Sequence, residues 1–74
     1  MNTAVIIPAL DEEAAIGRVL DAVPASITCL VVDNGSMDRT AEVAGARGAM
    51  VVREPRRGYG SACLRGMAAL QSDP

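Results

Sequence analysis

Residues 28–36 read Thr28-Cys29-Leu30-Val31-Val32-Asp33-Asn34-Gly35-Ser36, and this stretch decides the fold class. The run from Thr28 to Val32 is apolar or β-branched without alternation, the pattern of a strand covered on both faces. A turn rich in Asp, Asn, Gly and Ser follows at once. Strands buried on both sides belong to parallel sheets, and the turn after such a strand opens at the carboxyl rim, where open α/β sheets bind ligands. Two further runs, Ala4 to Ile7 and Met50 to Val52, have the same character.

Between the runs the apolar period changes to that of a helix. Ile16, Val19, Leu20 and Val23 form one stripe at i, i+3, i+4 and i+7, with Asp11, Glu12 and Glu13 offering an N-cap and negative charge to the first turn. Pro24 stops that helix. A second helix is expected after Ser36 as N-cap, through Thr40, Ala41 and Ala44 to Arg47, with Gly48 at the left-handed C-terminal position. A third starts near Gly60 and buries Cys63, Leu64, Met67 and Leu70. Met37, Met50 and Met67 read as core filler. The order β-α-β-α-β-α predicts a parallel three-stranded sheet with helices on its faces, a Rossmann-like α/β arrangement.

The chain has 74 residues, half of them apolar and 22% charged, so it is expected to fold and not to be a disordered tail. Its core must be built with no Phe or Trp and one Tyr. A chain this short buries only about 60% of its unfolded surface, which leaves it marginal on its own. The first strand of such a sheet is usually internal, and here one of its edges is naked, a feature that pairs with other chains. The tail Gln71-Ser72-Asp73-Pro74 reads as the turn before another strand. The expectation is therefore part of a larger domain, with self-association through the exposed edge as a possible consequence.

Several chemistries are excluded. The net charge of −2 argues against a nucleic-acid binder. All seven basic residues are Arg, so a Walker loop, which needs Lys, cannot be written. There is no His, hence no imidazole base, no His-paired nucleophile and no His-ligated metal. Cys29 and Cys63 match no zinc spacing and read as free thiols in a reducing compartment, with a disulfide as the alternative. Neither a signal peptide nor an apolar span is written at the start, so the expected location is cytoplasmic.

Three polar clusters reach the rim: Pro8 to Glu13, Asp33 to Ser36, and Glu54 to Gly60. The first lacks the glycine that lets backbone approach a pyrophosphate, and in the third Cys63 stands where the next glycine of GxGxxG belongs. Both facts exclude a dinucleotide dehydrogenase. What remains is a carboxylate at the end of the second strand, able to accept from a base N–H or ribose hydroxyl, and a loop of Arg and Gly able to meet phosphate. Glu12, Asp33 and Arg57 are expected to converge on one hollow. Tyr59 either stacks on a base or covers the rim.

These residues resemble the family 2 glycosyltransferases with a GT-A fold. Val5-Ile6-Ile7-Pro8-Ala9-Leu10-Asp11-Glu12-Glu13 is similar to the family's V-I-P-x-x-N-E-E start, Val31 to Thr40 to its V-D-D-G-S-x-D-x-T segment, and Arg57 to Ala62 to its G-K-G-x-A loop. The three motifs come in family order and spacing. The resemblance implies a nucleotide-sugar-binding site in which Pro8, Ala9, Leu10 and Glu12 line base and ribose. It places Asp33 on the base with Asn34 beside it, and Arg57, Gly58 and Gly60 near the diphosphate. Asp38 and Thr40 would order the second helix. Among branches it looks most like the polyprenyl- or dolichyl-phosphate sugar synthases, which move a hexose from a UDP- or GDP-sugar to a lipid phosphate, so the whole protein would work at the cytoplasmic face of a membrane.

Three positions depart from the pattern. Asp11 replaces Asn, Tyr59 replaces the loop Lys, and Asn34 replaces the second Asp, removing a charge beside the nucleotide. The family's D-x-D motif, which binds Mg²⁺ or Mn²⁺, would fall beyond Pro74 together with the acceptor half and the general base. No catalytic residue and no metal ligand is therefore expected within residues 1–74. The alternative is a noncatalytic remnant that self-associates or binds nucleotide weakly.

Overall fold

The computed structural model describes residues 3–71. Three strands, β1 (Ala4–Ala9), β2 (Thr28–Asp33) and β3 (Met50–Arg53), alternate with three helices, α1 (Glu13–Asp21), α2 (Thr40–Ala46) and α3 (Tyr59–Gln71). The strands are parallel in the order β1-β2-β3, with Ala9 opposite Asp33 and Asp33 opposite Arg53. This register puts all three strand ends, and hence all three motif loops, on one rim. Each strand runs one or two residues past its sequence-predicted end. Pro8 is accommodated because Ala9 turns its carbonyl to β2, accepting from Asn34 N at 2.8 Å. Backbone groups alternate along a strand, so the missing Pro8 N–H falls on the open edge and costs no ladder bond.

Helices α1 and α2 pack on one face and α3 on the other. Alternation along β2 serves both: Cys29 and Val31 meet Ile16, Leu20 and Ala44, while Leu30 and Val32 meet α3 through Ala62, Ala69 and Leu70. Leu30, Val31 and Val32 are wholly buried, each contributing about 1.5–3 kcal/mol. Both cysteines are free thiols.

The third helix does not lie as its apolar residues predict. Leu64 and Met67 are exposed, at 69% and 50%, and the buried face is Ala62 and Gly66 with Ala69 and Leu70 partly covered. The reason is close approach: a Cβ on Gly66 would stand 2.6 Å from Ile6 Cγ2 and 3.1 Å from Val32 Cγ2. Helix and sheet meet backbone to side chain at Gly66, which leaves no room for a large side chain at that point of contact, and Leu70 packs beyond it. Met37 (91% exposed) and Met50 (42%) are not core filler either, and Val19 of the expected α1 stripe is 45% exposed.

Gly17 explains how α1 and α2 dock. Arg47, just past α2, lays its guanidinium on it, donating to the Gly17 carbonyl at 3.0 Å and pairing with Asp21. Gly48 has φ 88°, the left-handed C-terminal position the sequence predicts. Among the described residues no helix is long and apolar enough to cross a membrane. Residues 72–74 of the expected terminal turn, and the Tyr59 side chain, lie outside the described set.

Candidate nucleotide-sugar site

The four N-terminal amides of a helix have no partner within it. In α1 the N-cap residue Glu12 makes no side-chain cap bond, contrary to the N-cap expected of Asp11–Glu13, although Glu13 does bring negative charge to the first turn. The partners come from the β2–α2 loop. Asp11 N donates to Ser36 Oγ (2.9 Å), Glu12 N to Thr40 Oγ1 (2.8 Å) and Glu13 N to Asp38 Oδ2 (3.2 Å). The loop's own amides return the contact, Met37 N to Asp11 Oδ1 (2.8 Å) and Arg39 N to Glu13 Oε1 (3.1 Å). Asp11 meets this geometry at φ 52°, a conformation Asp tolerates better than most residues.

This lacing explains why α2 starts at Thr40 and not after Ser36. The hydroxyl of Ser36 is turned to Asp11, and residues 36–39 are spent on the first motif. Asp38 and Thr40, expected to order the second helix, hold the starts of both: Asp38 Oδ1 accepts the amide of Thr40, the first residue of α2, at 2.9 Å, while Thr40 is wholly buried and its hydroxyl also donates to Asp38 Oδ1. The Asp38 carboxyl is held below the ordinary carboxylate range, chiefly by that hydroxyl, with the amides of Thr40 and Glu13 adding and partial desolvation opposing. Asking where the α1 amides find acceptors would have found this role, since the D-x-T spacing offers two oxygens on one turn.

Asn34 ties the second loop to the third. It is 7% exposed. Its Nδ2 donates to the carbonyls of Glu54 (2.8 Å) and Arg56 (2.5 Å), and its Oδ1 accepts from Gly58 N (3.1 Å). Gly58 sits at φ 119°, which a side chain would resist. Asp33 is also buried, its Oδ1 accepting from Ser36 N at 2.9 Å.

These ties leave a hollow of about 330 Å³ at the rim, lined by Pro8, Ala9, Leu10, Glu12, Asn34 and Gly58. Six of the nine sequence-predicted residues thus come together. Asp33 lines a second hollow of about 200 Å³ with Gly35, Arg53, Glu54 and Pro55, so the expected convergence of Glu12 and Asp33 on one hollow is replaced by two hollows at adjacent residues of one loop. Arg57 is exposed between Arg56 and Gly58, with no ion pair among the described residues, and Gly60 lies in the first turn of α3. The arrangement offers an apolar wall from β1, a carboxylate at its edge, and, beside a helix N-terminus, the guanidinium groups of Arg56 and Arg57, which form no ion pair among the described residues. That combination suits a sugar ring or base next to an anion.

The model of glycosyl transferase family 2 matches residues 4–73. An uncharacterized glycosyltransferase of Mycobacterium tuberculosis is 54% identical over 65 residues, covering 88% of this chain and 30% of its own. The glucosyl-3-phosphoglycerate synthase of Mycolicibacterium paratuberculosis is 41% identical over 83 residues, covering 95% and 25%. The crystal structure of glucosyl-3-phosphoglycerate synthase from M. tuberculosis in complex with UDP matches with a TM-score of 0.78 at 37% identity, over 92% of this chain and 29% of that one. The same enzyme is known with Mn²⁺ and UDP-glucose. This chain therefore spans about 30% of the length of the first of these relatives.

Proposed function

The chain belongs to glycosyl transferase family 2, with the GT-A arrangement over this portion, and from that premise we propose that its rim binds the nucleotide of a sugar donor. Residues 1–74 are then the nucleotide-sugar-binding part of a hexosyltransferase. The observation that carries the reading is the single hollow into which β1, the β2–α2 loop and the β3–α3 loop each send a motif residue. UDP-glucose is the favoured donor, because the solved relative at 37% identity binds it.

Each residue has a task in this reading. Pro8, Ala9 and Leu10 give the ribose and base an apolar wall, and the Glu12 carboxylate accepts from sugar hydroxyls. Asp33, with one oxygen held by Ser36, leaves the other for a base N–H that reaches the adjacent hollow. Arg57 and the first amides of α3 meet the diphosphate. For the acceptor, the relative's complexes with phosphoglyceric acid and glycerol 3-phosphate support a small phosphorylated hydroxy compound over the lipid phosphate that the sequence suggests.

The solved relative holds Mn²⁺ beside its UDP-glucose, and such an ion neutralises a leaving diphosphate when bound. Among the described residues no group of three or more Cys, Asp or Glu is placed to hold an ion, so these residues do not form a metal cage. Their work is to bind and orient.

Calorimetric titration tests the reading. UDP and UDP-glucose are expected to bind with millimolar or tighter affinity, and ATP at least about tenfold more weakly, a difference of about 1.4 kcal/mol. Equal binding of all three, or none, defeats it.

A further inference from the structure

The Asn34 side chain does something the family-pattern Asp at that position could not. A carboxylate accepts hydrogen bonds and donates none, whereas Asn34 donates two, to the Glu54 and Arg56 carbonyls, while accepting one from Gly58. These three bonds hold both sides of Arg57: Arg56 precedes it and Gly58 follows it. The loop has further support in Glu54 N donating to the Asp33 carbonyl at 2.9 Å and Arg56 N donating to Glu54 Oε2 at 2.8 Å. Neither bond reaches past Arg56. Beyond Arg56, Ala62 N donates to the Gly58 carbonyl within the start of α3 at 3.2 Å and Arg65 Nε reaches the Arg53 carbonyl at 3.4 Å. Among the described residues, however, the Asn34 amide group supplies the bonds that reach the backbone on both sides of Arg57 from the second loop.

We propose that Asn34 is a positioning residue that clasps the β3–α3 loop, aiming Arg57 and the first amides of α3 at the donor diphosphate. The proposal rests on the nucleotide-sugar reading above. It also gives the Asn a reason beyond removal of a charge: with Arg56 and Arg57 in the loop, and no Lys, the cations must be held by their backbone. Placing a carboxylate at 34 would set it against two carbonyl oxygens in a buried position, where unmatched acceptors are costly. Restoring the family-pattern residue is thus expected to damage this protein.

The test compares the parent with Asn34→Asp and Asn34→Ala by two readouts, hydrogen exchange of the Gly58 amide without ligand and titration with UDP. Asn34→Asp is expected to speed Gly58 exchange at least about tenfold and to weaken UDP binding by a similar factor at pH 7.5. Lowering the pH to 5 should recover part of the loss relative to the parent, because a protonated carboxyl donates one hydrogen bond. Asn34→Ala, which removes the amide without setting a charge against the carbonyls, should loosen the loop with no such recovery, and it stands in if the Asp variant does not fold. UDP affinity within twofold of the parent in both variants overturns the proposal, whatever the exchange rate. A parent that binds no UDP overturns the nucleotide reading itself and with it the purpose of the clasp, while Gly58 exchange unchanged in both variants of a parent that does bind overturns the clasp alone.

Discussion

The hydroxyl of Thr40 accepts the amide of Glu12 at 2.8 Å across 28 residues of sequence. One buried oxygen thereby fastens the start of α2 to the start of α1 and holds Glu12 at the mouth of the hollow. Thr40→Val keeps the shape, removes both hydrogen bonds and strands the Glu12 amide. A buried unpaired donor costs about 1–3 kcal/mol; the Glu12 bond is partly buried, so the loss should lie at the lower end of that range and lower the urea midpoint accordingly. Thr40→Ser keeps the hydroxyl and should lose less. A Thr40→Val variant as stable as the parent, with the loss confined to Thr40→Ser, would assign the effect to the methyl group.

The same cluster carries a pH dependence. Asp38's carboxyl in the folded chain sits below its ordinary value of 3.8, held there first by Thr40. A carboxyl whose folded value is depressed adds stability that is complete above the unfolded value and is lost as pH falls through the folded one. The stability gap between parent and Asp38→Asn should therefore stay level from pH 7 to about 5 and close below about pH 4. Urea midpoints measured across this range check it, and a gap that widens on acidification contradicts the assigned cause.

Much of this molecule could be read from its residues. Uninterrupted apolar runs mark strands covered on both faces, and β2 is such a strand, with Leu30, Val31 and Val32 wholly buried. The rim position of the three loops follows from parallel order alone. The α3 face was not legible because large apolar side chains pull a periodicity argument toward Leu64 and Met67, while the actual contact is decided by how closely Gly66 lets the helix approach Ile6. The trans caps of α1 are not legible for a related reason: Ser36, Asp38 and Thr40 lie at the start of α2 and read as its own, and only the tertiary fold reveals that α1 uses them as well. Asn34 reads as a turn residue or a lost charge until the Glu54 and Arg56 carbonyls are seen against its amide.

Two glycine substitutions separate packing from propensity. Gly66→Ala adds a methyl 2.6 Å from Ile6 Cγ2, close to a branch point and not a flexible tip. Overpacking costs about 1–3 kcal/mol, more than the roughly 1 kcal/mol that Ala gains over Gly in a helix, so the variant should be less stable. Gly45→Ala, in α2 with nothing within 4 Å of the new methyl, should gain up to about 1 kcal/mol. Thermal unfolding of the pair decides the matter, since equal shifts in one direction would mean that α3 does not press on the sheet.

The last prediction concerns how the anion is met. Arg57 is exposed and has no ion pair among the described residues, so replacing it breaks nothing in the fold and isolates its effect on ligand. An exposed charge contact is worth about 1 kcal/mol, and Arg57→Ala should therefore weaken UDP about fivefold. Uridine, which has no phosphate, should bind the parent and the variant alike. Added salt should shrink the difference for UDP, because screening acts on the exposed pair and not on the apolar wall formed by Pro8, Ala9 and Leu10. A variant that loses uridine and UDP equally would place Arg57 on the base or ribose, and would move the diphosphate to Arg56 or to the amides of α3.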